Sequence, residues 1–132
     1  MTSENFANVL GQISDMDFQF VWLTPMLGEV FADPHISEKF EMLEAEPRIE
    51  GYSFYSNFIL ARSSQIDMLP SLRKLAGMYI SLYGFDEDSF ELTTKKPASQ
   101  FDKLLENLFH LLKIMNDWHP PIGINFNVRT VK

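Results

Sequence analysis

The sequence contains no cysteine. This absence excludes disulfide bonds, thiolate catalysis and thiolate metal sites. A chain without cysteine suits a reducing compartment, so we predict a cytoplasmic location. No basic residue precedes Lys39, so the charged start of a secretory signal is lacking. The uninterrupted apolar runs are about four residues long, too short to span a bilayer, and we expect no contact with a membrane.

Motifs that mark common enzyme classes are also absent. The six glycines do not cluster, and the sequence lacks a phosphate-binding loop, a dinucleotide glycine motif, H-E-x-x-H and G-x-S-x-G. We therefore predict no catalytic residue and no cofactor, and we favour a non-enzymatic function.

The three histidines are better explained by structural roles than by catalysis. His110 follows Glu106 by one helical turn, which suits an exposed i,i+4 pair. His119 precedes two prolines at a predicted helix end. His35 and Asp33 could bind one metal ion together, but two ligands do not make a site, and Asp33 suits the position of a helix cap.

One acidic run, Asp86-Glu87-Asp88, shares part of the pattern of a calcium-binding loop. An EF-hand requires glycine at the sixth position of the loop, where this chain has Glu91. We predict an exposed turn here and no metal site.

The length of 132 residues predicts a single globular domain that spans residues 1–132. The hydrophobic content of 45% and the charged content of 22% are ordinary for such a domain. Twelve phenylalanines are many for this length, and we expect most of their rings to fill the core.

The strongest periodic signal predicts an amphipathic helix within residues 99–118. Apolar residues recur there at helical spacing on one side, which we expect to be buried, and charged residues occupy the other side. Pro120 ends the pattern, because the residue before a proline is pushed out of the helical conformation. The apolar side consists of Phe101, Leu104, Leu105, Leu108, Leu111, Leu112 and Met115.

Further helices are predicted over 2–13, 24–32, 33–47 and 70–83. The second and third of these begin with a capping residue followed by proline, at Thr24-Pro25 and at Asp33-Pro34. The last has apolar residues at helical spacing, and Gly84 follows it in the position of a C-terminal cap.

Two segments, 17–23 and 52–60, fit either a strand or a buried helix. We favour a helix for 52–60 because the neighbouring segments are predicted to be helical. Alternating apolar residues predict a strand over 122–130, which would pair with 18–22 or 90–94. The predicted fold is mainly α, a compact single domain of four to six helices with a short C-terminal strand. The alternative is an α+β domain in which 18–23 and 52–60 are strands.

Charge is distributed unevenly along the chain. The net charge is −7, but residues 1–50 alone hold ten acidic and two basic residues, a balance of −8. A field of this sign repels nucleic acid and attracts a basic protein surface. The densest acidic patch lies on the predicted outer side of helix 33–47, so we take Glu38, Glu41 and Glu44 as candidate partner-binding residues.

These features predict a small acidic binding protein that engages a basic protein partner, in the manner of an inhibitor or immunity-type protein. One alternative is a structural subunit that assembles into a homo-oligomer such as a homodimer, because the aromatic stretches exceed what one small core needs. A second alternative is an enzyme of unrecognised type.

Overall fold

The structure is a computed structural model that describes residues 1–25, 28–118 and 122–129. Within these residues, α-helices alternate with β-strands along most of the chain. Short 3₁₀ turns at Val30–Ala32 and Leu69–Ser71 lie in two of the connections. The elements are α1 (Ser3–Asp15), β1 (Phe20–Leu23), α2 (Ile36–Ala45), β2 (Gly51–Ser56), α3 (Ser63–Met68), β3 (Leu75–Leu82), α4 (Glu87–Thr94), α5 (Ala98–Met115) and β4 (Gly123–Val128).

The four strands form one sheet in the order β1-β2-β3-β4, and every neighbouring pair is parallel. The prediction of a mainly α domain with one short C-terminal strand is therefore wrong, because the chain has an α/β fold. Strand β1 lies within 18–23, and β2 overlaps the first half of 52–60, so strands do occur in the two segments named in the α+β alternative.

The largest local error concerns 70–83, where a strand, β3, replaces the predicted helix. The side of β3 away from the helices carries Gly77 and Tyr79, so the strand lacks a clear alternation of apolar and polar residues. Leu75, Met78 and Leu82 fall at helical spacing by coincidence. The aromatic Tyr55 has the same effect in β2, which is buried at five of its six positions and was predicted as a helix.

Two shorter predictions are also corrected. The segment 90–94, proposed as a strand partner for 122–130, belongs to α4, because Asp86 caps this helix by accepting a hydrogen bond of 2.8 Å from the backbone N–H of Ser89. In the described part of 24–32, a 3₁₀ turn stands where a helix was predicted.

Helix α2 covers one face of the sheet, because Phe40 packs on Tyr52 and Phe54 of β2. Right-handed crossovers between parallel strands that follow one another in sequence place the other connecting helices on this same side, and α1 packs against α2. The core lies between these layers, where Phe40 of α2 stacks on Tyr52 and Phe54 of β2, with ring centroids 5.8 and 5.6 Å apart. Met78 and Ile80 of β3 are buried beside them.

Helix α5 confirms the strongest helical prediction but buries a different side than expected. Leu104 and Leu111 are buried as predicted, whereas Leu105 and Leu112 are exposed. The helix is rotated because a polar residue, Asn107, occupies its inner side and donates hydrogen bonds to backbone carbonyls of the loop after β2.

Candidate binding surface

The face of the sheet opposite the helices has no covering layer among the described residues, and we call it the open face. All-parallel sheets occur almost entirely with both faces covered, so a bare face is unusual for this architecture. None of the side chains that the strand register places on it is charged. They belong to Phe20, Trp22, Gly51, Ser53, Tyr55, Gly77, Tyr79, Ser81, Gly123, Asn125 and Asn127.

An aromatic cluster occupies the half of the open face formed by β1, β2 and β3. The ring centroid of Trp22 lies 5.2 Å from that of Tyr79 and 5.9 Å from that of Tyr55. The two tyrosine rings stack, with centroids 4.8 Å apart. These separations lie within the range of favourable aromatic pairs. Trp22 still exposes 49% of its surface, so the cluster is a preformed aromatic platform in contact with solvent.

Gly51 of β2 lies beneath the ring of Phe20, another aromatic residue on the open face. A β-carbon added to Gly51 would approach Cε1 of the Phe20 ring to 2.6 Å, which is closer than van der Waals contact permits. Phe20 of β1 therefore lies over the neighbouring strand, and a side chain at position 51 would displace this exposed ring.

The other half of the open face is polar and uncharged. It consists of Ser81 together with Asn125 and Asn127 of β4, and both asparagines are exposed. A crevice of about 430 Å³ borders it at the carboxyl ends of the strands and includes Tyr83 and Arg129 in its lining. Ligand crevices of parallel sheets form where the strand order reverses. The sequential order found here has no reversal, so the crevice is a margin of the open face.

Glu29, at this margin, has a structural role. Its carboxylate accepts hydrogen bonds from the hydroxyl of Ser56, from the backbone N–H of Asn57 at 2.7 Å and from the backbone N–H of Phe31 at 3.3 Å. These bonds hold the end of β2 against the connection that follows β1.

The predicted partner-binding residues Glu38, Glu41 and Glu44 lie on α2, on the opposite side of the sheet from the open face, and they do not form one free acidic surface. Glu44 accepts hydrogen bonds of 3.0 Å from the backbone N–H groups of Arg73 and Lys74, at the approach to β3. Glu41 is exposed.

Glu38 is exposed but already engaged. Its carboxylate accepts a hydrogen bond of 2.7 Å from the hydroxyl of Ser3 and contacts Nδ1 of His35 at 3.0 Å. These two hydrogen bonds lower the pKa of Glu38 below its ordinary value. The role of the three glutamates in partner binding stays a prediction.

A buried ion pair fixes the start of α2. The ammonium group of Lys39 is almost fully buried and contacts the carboxylate of Asp33. Burial acts to raise the pKa of Asp33, but hydrogen bonds from Lys39 and from the backbone N–H of His35 outweigh it and lower that pKa below its ordinary value. Asp33 is not the helix cap that the sequence predicted, because the capping position of α2 is occupied by His35, whose backbone N–H donates a hydrogen bond of 2.9 Å to the Asp33 carboxylate.

The remaining sequence candidates have structural partners where they are described. His110 contacts the carboxylate of Asp67 at 2.7 Å, whereas the predicted partner Glu106 contacts Lys103 at 3.2 Å. His119 lies outside the described residues. Across 1–25, 28–118 and 122–129, no group of three or more histidine, aspartate or glutamate side chains is arranged to hold a metal ion.

Comparison with known proteins assigns no function to the open face. No protein-family model matches the sequence, and no curated protein matches it either. Among the described helices, none has the length and apolar character needed to cross a membrane.

Sequence reasoning did not find the open face, although part of its signal is visible. Phe18, Phe20 and Trp22 alternate as strand residues do. Their meeting with Tyr55 and Tyr79 depends on the order and register of the strands, which no local pattern encodes.

Proposed function

We propose that this protein is a non-enzymatic binding domain that engages a protein partner through the open face. The observation that carries the proposal is a bare parallel sheet with Trp22, Tyr55 and Tyr79 clustered on it. The centres of protein interfaces are enriched in tyrosine, tryptophan and phenylalanine and depleted of charge, and the open face has this composition. Exposed apolar patches of a few hundred Å² mark interaction sites on otherwise polar proteins.

The charge of the chain supports a basic partner. The contact area itself is uncharged, so its binding energy would come from apolar and aromatic burial. The net charge of −7 would then accelerate the encounter with a basic protein and disfavour nucleic acid. A small acidic inhibitor or immunity-type protein in the cytoplasm fits this combination.

The test begins with affinity capture from the native source, identification of the bound protein and measurement of its affinity for the purified chain. Trp22→Lys places a charge at the centre of the aromatic platform, and we expect it to weaken binding at least about tenfold, or about 1.4 kcal/mol. Phe109→Lys is the matched control. Phe109 is also an exposed aromatic residue, but it lies on α5, on the other side of the sheet from the open face. Equal affinities of wild type and Trp22→Lys, with both proteins folded, would contradict the proposal.

Self-association is a second candidate, and one observation favours it. The outer edge of β4 is uncharged, and no described strand pairs with it. A structural subunit that forms a homodimer would use such an edge. No arrangement of the described side chains favours the remaining hypothesis, an enzyme of unrecognised type.

A further inference from the structure

Within the described residues, strand β4 has no charge, proline or bulge that would protect the edge of the sheet. Edge strands are commonly short or carry charges, prolines or bulges, which prevent pairing with other chains. The six residues of β4, GINFNV, include no charge and no proline, and their register with β3 is continuous from Gly123 to Val128. Strand β1, at the opposite edge, is only four residues long.

The backbone of β4 directs half of its hydrogen-bonding groups outward. The N–H of Arg129 donates to the carbonyl oxygen of Leu82 at 2.7 Å, so Arg129 faces β3. Because the direction alternates along a strand, Asn125 and Asn127 also face β3. Ile124, Phe126 and Val128 then direct their N–H and C=O groups away from the sheet.

The side chains of β4 also alternate in character. Phe126 and Val128 lie on the same side of the sheet as the helices, yet they expose 49% and 58% of their surface. Asn125 and Asn127 lie on the open face. One side of this edge strand is therefore apolar and incompletely covered, and the other is polar and uncharged.

We infer that a second copy of this chain pairs with β4 in antiparallel fashion about a two-fold axis at Phe126. Opposite residues of an antiparallel pair lie on the same side of the sheet. This register sets Phe126 against its own copy, Ile124 against Val128 of the second copy, and Asn125 against Asn127 of the second copy. Apolar residues thus meet apolar residues, amides meet amides, and about six backbone hydrogen bonds form. The product is one continuous eight-stranded sheet.

A second copy fits this edge because the strand is complementary to itself under the two-fold operation, as an isologous interface requires. The six residues of β4 carry no charge, and Arg129 of each copy lies at the end of the pairing, opposite Gly123 of the other copy, so the net charge of −7 opposes pairing mainly through screened repulsion. A strand of six residues is about 20 Å long. Such an edge contact buries less than the roughly 800 Å² per partner of a standard interface, so it belongs to the class of small, weak interfaces. This inference rests on self-association, the second candidate above.

Analytical ultracentrifugation of the whole chain tests the inference with two variants of one residue. Val128→Pro removes an outward N–H, and proline is tolerated at an edge position where that N–H faces solvent. Val128→Thr keeps the N–H and the β-branched shape. We expect wild type and Val128→Thr to dimerise within about twofold of each other, and Val128→Pro to dimerise at least about tenfold more weakly. Dimerisation of folded Val128→Pro as strong as that of wild type would overturn the pairing.

Residue-resolved amide exchange in the wild type identifies the surface without any substitution, and it decides the question even if Val128→Pro fails to fold. We expect the amides of Ile124, Phe126 and Val128 to gain protection as concentration rises, and those of Asn125 and Asn127 to be protected throughout. A dimer without this alternating gain would overturn the β4 pairing while leaving self-association through another surface. A wild type that stays monomeric up to several hundred micromolar would overturn both. Protection that rises only when a separate extended peptide is added would show that the edge binds a foreign strand and overturn the two-fold dimer.

Discussion

The side-chain amide of Asn107 donates a hydrogen bond of 2.8 Å to the backbone carbonyl of Phe58. The same Nδ2 group lies 3.2 Å from the carbonyl oxygen of Ile59 and 3.0 Å from that of Ala61. Phe58 has a positive φ of 61°, which is uncommon for a bulky residue. Asn107 thus connects α5 to the irregular loop that follows β2.

Replacement of Asn107 should destabilise the fold strongly, because its buried side chain donates hydrogen bonds to backbone carbonyls of the core. Asn107→Ala leaves buried carbonyl groups without a donor, so we expect the free energy of unfolding to fall by about 2 to 3 kcal/mol. Asn107→Asp, of equal size, should cost at least as much, because it sets acceptors against acceptors. Urea denaturation measures both, with the exposed neighbour Glu106→Gln as control. A loss below about 0.5 kcal/mol for either variant would show that the loop does not depend on this amide.

The orientation of α5 gives a matched pair of leucines eight residues apart. Leu104 exposes 1% of its surface and Leu112 exposes 53%. We expect Leu104→Ala to lower the free energy of unfolding by about 2 to 5 kcal/mol, because it creates a cavity in the core. Leu112→Ala should change it by about 0.5 kcal/mol or less. Thermal and urea unfolding check both values, and a reversed order would mean that the helix turns Leu112, and not Leu104, toward the core.

The ion pair of Asp33 and Lys39 should make the free energy of unfolding depend on pH in the acidic range. Since the pKa of Asp33 is lower in the folded state, its contribution is complete above the unfolded carboxyl pKa of about 4 and is lost as the pH falls through the folded value. Asp33→Asn leaves the Lys39 ammonium buried without its counter-ion and should cost about 3 kcal/mol at pH 7. It should also flatten the acid side of the stability curve.

Lys39→Met is the control for this pair, because it removes the buried charge and keeps a similar apolar volume. We expect it to cost less than Asp33→Asn. Unfolding free energies measured from pH 2 to pH 7 compare the variants, and an acid limb in Asp33→Asn as steep as in wild type would assign the acid sensitivity to other carboxylates.

The acidic residues of α2 should differ in how much each contributes to the free energy of unfolding. Both carboxylate oxygens of Glu44 accept backbone hydrogen bonds, and glutamine can supply only one such oxygen. Glu44→Gln should therefore lower the free energy of unfolding by about 1 kcal/mol. Glu41→Gln should leave it within about 0.5 kcal/mol. Chemical denaturation distinguishes the two variants. Because Glu41→Gln removes a charge without changing stability, it is the variant of the two that suits a test of charge-dependent association with a basic partner.

The sequence predicted elements well where one side of a segment faces water. Helix α5 and helix α2, with Ile36, Phe40 and Leu43 buried, follow the spacing of their apolar residues. The C-terminal strand β4 follows the alternation of Ile124, Phe126 and Val128. In α2 the boundary between core and solvent follows the spacing of the apolar residues, whereas α5 is rotated so that Leu105 and Leu112 face solvent, and β4 leaves Phe126 and Val128 about half exposed.

Prediction failed for the inner strands β2 and β3. Their uncovered face carries aromatic and small residues such as Tyr55, Tyr79 and Gly77, so their sequences lack a clear alternation of apolar and polar residues. Tyr55 and Tyr79 illustrate the consequence for function, because each was assigned to a predicted helix and no local pattern could bring them together.

The sequence by itself determined the absence of cysteine chemistry, the acidic balance of residues 1–50 and the amphipathic character of α2 and α5. Only the tertiary structure decided that four parallel strands follow one another in order, that every helix therefore lies on one side, and that Trp22, Tyr55 and Tyr79 share a bare face. The physical reason is that parallel strands pair across about a dozen or more intervening residues. Their order is set by loop closure and packing of the whole chain, and no short-range period records it.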